Sequence, residues 1–186
     1  MKTHINLLLA LFIAFTGYSQ TQVEGVTLPN TMKIGEHQTV LNGAGVREKL
    51  WIDLYVGALY LTEKKSSAKE ILDSNEPMAV RLQIVSKLVS SSKMIEAVED
   101  GFKKSTNNNV APLRKQIDQF IGFFEEEIVK GDIFDITYQP ERGVVAYKNG
   151  EQRGVIQGKA FKRALFGIWL DKKPADDDLK EGMLGK

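Results

Sequence analysis

The spacing of apolar positions along the chain passes from extended to helical, back to extended and finally to helical, and these changes of period mark out its elements. Val23 to Pro29 alternates weakly and ends at a proline, which predicts an edge strand. A turn at Gly35 leads into Thr39 to Arg47. The run Leu50 to Leu61 is dense in aromatic and branched residues and carries one charge, Asp53, so it predicts a strand covered on both faces in the middle of a sheet. Ala68, Ile71 and Leu72 then fall at helical spacing behind Ser66 and Ser67, either of which can cap, with Glu70 in the first turn. Met78 to Val85 returns to strict alternation, with Val80, Leu82 and Ile84 on one side and Arg81 and Gln83 on the other.

From Ser92 the period is helical again, with Met94, Ile95, Val98 and Phe102 on one stripe behind a Ser-rich start that can cap the orphan amides. Asn107 to Asn109 form a loop. Beyond Pro112, tolerated in a first turn, Leu113, Ile117, Phe120, Ile121, Phe124 and Ile128 predict one helix of about four turns ended by Gly131. Glu125, Glu126 and Glu127 then fall near its C-terminal end, the wrong sign for the helix dipole, and read as a solvated face. Three extended runs follow, Ile133 to Tyr138, Val144 to Lys148 and Glu151 to Ile156. Asn149-Gly150 between the last two supplies the paired positive φ angles of a type I′ hairpin turn, so the three form an antiparallel meander. Phe161, Leu165, Ile168 and Trp169 mark a further helix, and Pro174 with Asp176 to Asp178 opens a short last one. The order of strands, helices, strands and helices gives the class α+β with a mainly antiparallel sheet.

The first residues belong to a different kind of segment. Lys2 is followed by an apolar run from Ile5 to Phe15 and then by Thr16 to Gln20, the layout of a secretory signal peptide. The run is too short for a permanent span, which needs about 20 apolar residues. We therefore expect residues 1–20 to be a signal peptide and residues 21–186 an exported domain, periplasmic or secreted. With no cysteine to carry a lipid, the processed chain is expected to keep no stable membrane anchor.

Composition narrows the chemistry. Of 186 residues, 42% are hydrophobic and 26% charged, which fits a packed core. Lys and Arg number 25 against 24 Asp and Glu, so no excess of positive charge exists to neutralise a nucleic-acid backbone. The absence of Cys removes disulfides, thiolate metal sites and Cys nucleophiles, and two His, His4 and His37, are too few for the usual metal sites or a Ser-His-Asp triad. Hydrolase, metalloprotease and P-loop motifs are missing. Gly43-Ala44-Gly45 fails the dinucleotide fingerprint at its last glycine and leads into a strand. No catalytic residue, metal ligand or cofactor site is expected.

Arg47 stands apart. It follows the Gly-x-Gly bend at the start of an otherwise apolar strand pair, and Tyr55 lies in the next strand among Trp51, Leu54 and Leu59. An arginine in apolar surroundings needs a counter-charge. An Asp or Glu of the chain could serve; otherwise a ligand anion would. A guanidinium and a tyrosyl hydroxyl together make a hydrogen-bonding cradle for a carboxylate or enolate oxygen.

The segment Leu41-Asn42-Gly43-Ala44-Gly45-Val46-Arg47-Glu48-Lys49, followed by Leu54-Tyr55-Val56-Gly57-Ala58-Leu59-Tyr60-Leu61, resembles the paired motifs of the bacterial chalcone isomerase-like proteins. Phe161 to Leu170, Pro174, Leu179-Lys180 and Leu184-Gly185 resemble that family's C-terminal helices, so the similarity runs from about Val23 to Gly185. The resemblance implies an open-faced β-sandwich, with a helical layer on one face of the sheet and a ligand cleft between. In the plant isomerases of the family, the arginine matching Arg47 is implied to stabilise the phenolate or enolate, helped by a Thr, a Tyr and an Asn. Here Tyr55 stands at the Thr position, and Met78 to Thr106 contains neither Tyr nor Asn, so the isomerase set is incomplete. In the fatty-acid-binding branch the carboxylate is implied to lie on the matching Arg and a strand Tyr, a pair that Arg47 and Tyr55 fit. The resemblance thus implies a non-catalytic binder of a fatty acid or similar amphipathic carboxylate, with ligand-binding residues Arg47 and Tyr55. An intramolecular lyase of isomerase type and a structural or partner-binding exported domain are the alternatives.

Overall fold

The computed structural model describes residues 20–186; but for Gln20, the expected signal peptide lies outside them. A hairpin of β1 (Gln20–Val23) and β2 (Val26–Pro29) precedes β3 (Thr31–Ile34), β4 (His37–Lys49) and β5 (Ile52–Leu61). Helix α1 (Ala68–Asp73), strand β6 (Met78–Ile84), and helices α2 (Ser91–Ser105) and α3 (Arg114–Ile121) come next. The meander β7 (Ile133–Gln139), β8 (Gly143–Lys148) and β9 (Glu151–Ile156) leads to α4 (Lys159–Leu170) and α5 (Asp177–Met183). Strands β3 to β9 form one antiparallel sheet whose spatial order is the chain order.

Burial on both faces of β5 follows from its sequence. Tyr55, Leu59 and Leu61 point into the larger core beneath the helices, together with Val80, Leu82, Phe134, Ile136 and the helix residues Phe102, Phe120 and Phe161. Val56, Ala58 and Tyr60 point the other way, where Val26, Leu28 and Ile34 cover them. The local signals act as expected at several places. Ser67 caps α1 by accepting from the Glu70 amide, and Ser90 caps α2 by accepting from the Lys93 amide. Asn149 and Gly150 take φ values of 52° and 84°, joining β8 to β9 through a tight turn.

Four expectations are corrected. Val23 to Pro29 is not one edge strand: the chain reverses at Glu24-Gly25, both at positive φ, and folds Val26 and Leu28 onto the outer core. The four-turn helix expected from Leu113 to Ile128 is α3 alone, tightened into a 3₁₀ turn over Gly122–Phe124. The Phe124 carbonyl is taken by the Ser91 hydroxyl and its ring packs on Phe134 with centroids 5.1 Å apart, so the chain leaves the helix there. Glu125 to Glu127 lie off the helix, which removes their conflict with its dipole, and they are exposed. Gly131 closes the following turn rather than a helix.

The Gly43-Ala44-Gly45 segment is not a bend but lies inside the 13-residue strand β4, beside a bulge between Leu41 and Gly43. Its glycines admit the backbone of α5: a Cβ on Gly43 would come within 2.8 Å of the Gly185 nitrogen, and one on Gly182 within 2.6 Å of the Ala44 carbonyl oxygen. Trp51 does not accompany Tyr55 in the strand. Leu50 and Trp51 form the β4–β5 turn with φ of 54° and 65°, and both side chains stand in solvent.

Candidate functional site

The β4–β5 ladder sets Arg47 directly opposite Tyr55, one residue before a second bulge. Both belong to the face that the helices cover. Tyr55 is buried, and its hydroxyl oxygen accepts a hydrogen bond of 3.1 Å from Trp169 Nε1 on α4. An indole N–H can only donate, so the tyrosine is the acceptor in this pair. Among the described residues the Tyr55 O–H meets no acceptor of its own, and its proton is left to offer. Burial raises the phenol pKa above its ordinary value, against the lowering influence of Arg47, which keeps this donor protonated.

Arg47 has a carboxylate nearby. Asp176 is the N-cap of α5, its Oδ1 accepting from the Leu179 amide at 2.9 Å, and its Oδ2 lies 3.6 Å from Arg47 Nη1. That separation is an ion pair but too long for a good N–H···O bond. The contrast with Arg81 is informative. Arg81 and Asp135, registered across β6 and β7, are closed by two bonds of 2.7 and 2.8 Å. The side chains of Arg47 and Asp176 are 20% and 17% exposed, those of Arg81 and Asp135 20% and 16%, so the two pairs are equally sheltered. Solvent access does not explain the difference; the guanidinium fork of Arg47 is only half engaged. Arg47 and Tyr55 are thus neighbouring donors across the β4–β5 ladder with capacity left unused, and an acceptor-only group such as a carboxylate suits both.

Helix α5 forms the wall of this site. Asn42 fastens its far end, donating to the Met183 carbonyl at 2.8 Å and to the Lys65 carbonyl at 2.9 Å while accepting from the Lys65 amide. Leu179 and Met183 are fully buried against β4 and β5. The space beneath the helices is packed with Phe102, Phe120, Phe161 and Leu165 rather than held open. Two cavities lie elsewhere. A groove of about 380 Å³ runs between the β1–β2 hairpin and β4, and one of about 170 Å³ lies at the end of α1; neither is lined by Arg47 or Tyr55.

The structure brings together the two residues singled out from the sequence and adds three that sequence reasoning missed. In the sequence Trp169 is one member of an apolar stripe, Asp176 a helix-starting acid, and Asn42 only a position within the Leu41 to Lys49 motif. The fourth unforeseen group is Lys162, 2% exposed, whose ammonium donates to the carbonyls of Ile71, Leu72 and Ser74 at 2.9 to 3.2 Å and lies 5.3 Å from the centre of the Tyr138 ring. It closes the C-terminal end of α1. Burial pushes its pKa down to about 8.

A family model described as chalcone isomerase-like matches residues 20–185. The chain belongs to the chalcone isomerase-like family. The crystal structure of an Arabidopsis thaliana fatty-acid binding protein superposes with a TM-score of 0.72 at 18% identity, covering 89% of this chain and 96% of that one. At that identity the likeness establishes the fold: an α+β chalcone isomerase-like architecture, with a curled antiparallel sheet and helices on one face. No curated protein matches.

Proposed function

We propose that this chalcone isomerase-like chain is an exported, non-catalytic binder of an amphipathic carboxylate, a fatty acid being the simplest case. One observation carries the reading: Tyr55 O–H and the Arg47 fork are underused donors on residues set opposite each other in the β4–β5 ladder. The carboxylate of the ligand takes the place beside Arg47 that Asp176 holds, and its oxygen accepts from Tyr55. The tail enters the apolar layer that begins at Tyr55 and Trp169, contributing about 0.8 kcal/mol for each methylene buried. The fatty-acid binding protein that shares this fold supports the ligand class. The signal-like pattern of residues 1–20 supports export, which N-terminal sequencing of the protein recovered outside the cytoplasm would test.

Calorimetric titration of delipidated residues 21–186 with saturated fatty acids of increasing length is the decisive experiment. Affinity that climbs with length to an optimum is the expected result. Binding at no length rejects the reading. It would select the second one, in which Arg47 and Asp176 form a structural ion pair of a packed exported domain, a view favoured by the filled core beneath the helices.

A further inference from the structure

Five large apolar side chains are exposed among the described residues: Leu50, Trp51, Ile52, Leu88 and Val129. They come from three separate segments of the chain, residues 50–52, Leu88 and Val129, but share one end of the sheet. Strand β5 starts at Ile52, β6 ends at Ile84 and β7 starts at Ile133, with Tyr55 registered to Ile84 and Gln83 to Ile133. The backbone carries this alignment into the loops: the Val85 amide donates to the Leu54 carbonyl and the Gly131 amide to the Ile84 carbonyl. The loop holding Leu88 and the loop holding Val129 thus leave the sheet beside the turn that holds Leu50 and Trp51.

That turn is unusual for what it displays. Leu50 is 81% exposed and Trp51 93%, and both adopt left-handed backbone that ordinarily calls for Asn-Gly. The same chain uses Asn149-Gly150 where it merely needs to turn. Each of the three apolar segments also has an exposed lysine beside it: Lys49 before Leu50, Lys87 before Leu88 and Lys130 after Val129. Glu48 and Asp53 stand opposite each other farther down the hairpin.

We propose that this end of the sheet docks on a phospholipid bilayer, Leu50 and Trp51 entering the interface while Lys49, Lys87 and Lys130 reach lipid phosphates. An indole with aliphatic neighbours suits the boundary between headgroups and acyl chains, and lysine stems extend from that boundary to the phosphates. The choice of lipid over protein also rests on the carboxylate-binding reading, since Arg47 and Tyr55 lie on the strands that form this tip and a bilayer is where an amphipathic carboxylate resides.

The test uses residues 20–186, which hold the whole sheet and both cores, with phosphatidylcholine–phosphatidylglycerol vesicles and no added fatty acid. The chain has two tryptophans, and Trp169 is buried, so a shift of the water-exposed emission on adding vesicles reports Trp51. The expected result is a blue shift together with flotation of the protein with the vesicles, and at least a tenfold loss of vesicle affinity in Trp51→Ser and Leu50→Ser at unchanged melting temperature. Unshifted emission at saturating lipid, or Trp51→Ser floating as well as the parent, overturns the proposal. A blue shift that grows with protein concentration without lipid also overturns it, assigning the tip to a second copy of the chain. Fatty-acid titration of the same preparations separates the readings: flotation without fatty-acid binding keeps the docking surface and removes the carboxylate site, and the reverse removes only the docking surface.

Discussion

The Arg47 guanidinium stands 3.6 Å from the Asp176 carboxylate, an acid of its own chain, and the α5 cap that holds this acid also bonds the Leu179 amide. Asp176 thus serves two ends at once, a helix and an arginine. Asparagine can do the first and not the second. Asp176→Asn is expected to leave the melting temperature nearly unchanged, since Asn and Asp cap comparably, and to tighten fatty-acid binding by roughly tenfold, about 1.4 kcal/mol, by removing the competing charge. Titration of the two proteins side by side checks both halves.

Arg47→Ala should weaken the same binding by about 1.5 to 3 kcal/mol, the worth of a hydrogen bond to a charged group. Unchanged affinity would take Arg47 out of the site.

Tyr55→Phe removes a donor offered to ligand and an acceptor used by Trp169. It is expected to lower both affinity and fold stability, the latter by about 1 to 3 kcal/mol because a buried indole N–H loses its partner. Denaturant melts would show the second effect without ligand present.

Lys162 makes stability depend on alkaline pH. With its folded pKa pushed down to about 8 and an ordinary value of 10.5, the unfolded chain holds the proton more tightly than the folded one between these limits. The contribution of this residue to stability therefore rises as pH climbs from about 8 to about 10.5, as the cost of a buried ammonium is relieved. Lys162→Met should lose that slope. It should also be destabilised at neutral pH by about 2 to 4 kcal/mol, since the Ile71, Leu72 and Ser74 carbonyls lose their donor. Unfolding free energies measured across this range for both proteins give the answer.

Gly43→Ala would set a methyl group against the α5 backbone at Gly182, Met183 and Gly185. Because backbone cannot step aside as a side chain can, we expect a loss of about 2 kcal/mol or more and faster amide exchange in α5, with affinity at Arg47 falling as its wall loosens.

Much of this molecule could be read without coordinates because its signals are local. Asn149-Gly150 marked a hairpin through backbone conformation, serines stood before α1 and α2 where orphan amides needed acceptors, and the apolar run of β5, broken only by Asp53, pointed to a central strand. Errors arose where tertiary contacts overrode local preference. Phe124 prolonged a helical stripe in sequence but left the helix to meet Phe134. The glycines of β4 looked like a bend because the helix they admit lies at the other end of the chain. Arg47 and Tyr55 were visible as a charge and a hydroxyl in apolar strands, whereas Asp176 and Trp169 carried no mark of their role, which comes only from where α4 and α5 dock. Lys162 was the least legible, being a charged residue whose partners are backbone carbonyls.

The sheet's order along the chain has a consequence for how the molecule assembles. Every strand pair joins strands consecutive in the chain, so the sheet can build progressively along it, the longest closure being the helical stretch between β6 and β7. The Asn42 bond to the Met183 carbonyl, by contrast, spans 141 residues. It cannot form until α5 has docked on β4. Arg47 meets Asp176 only then, so a chain cut before Asp176 would keep its strand pairing while leaving Arg47 without its neighbouring carboxylate.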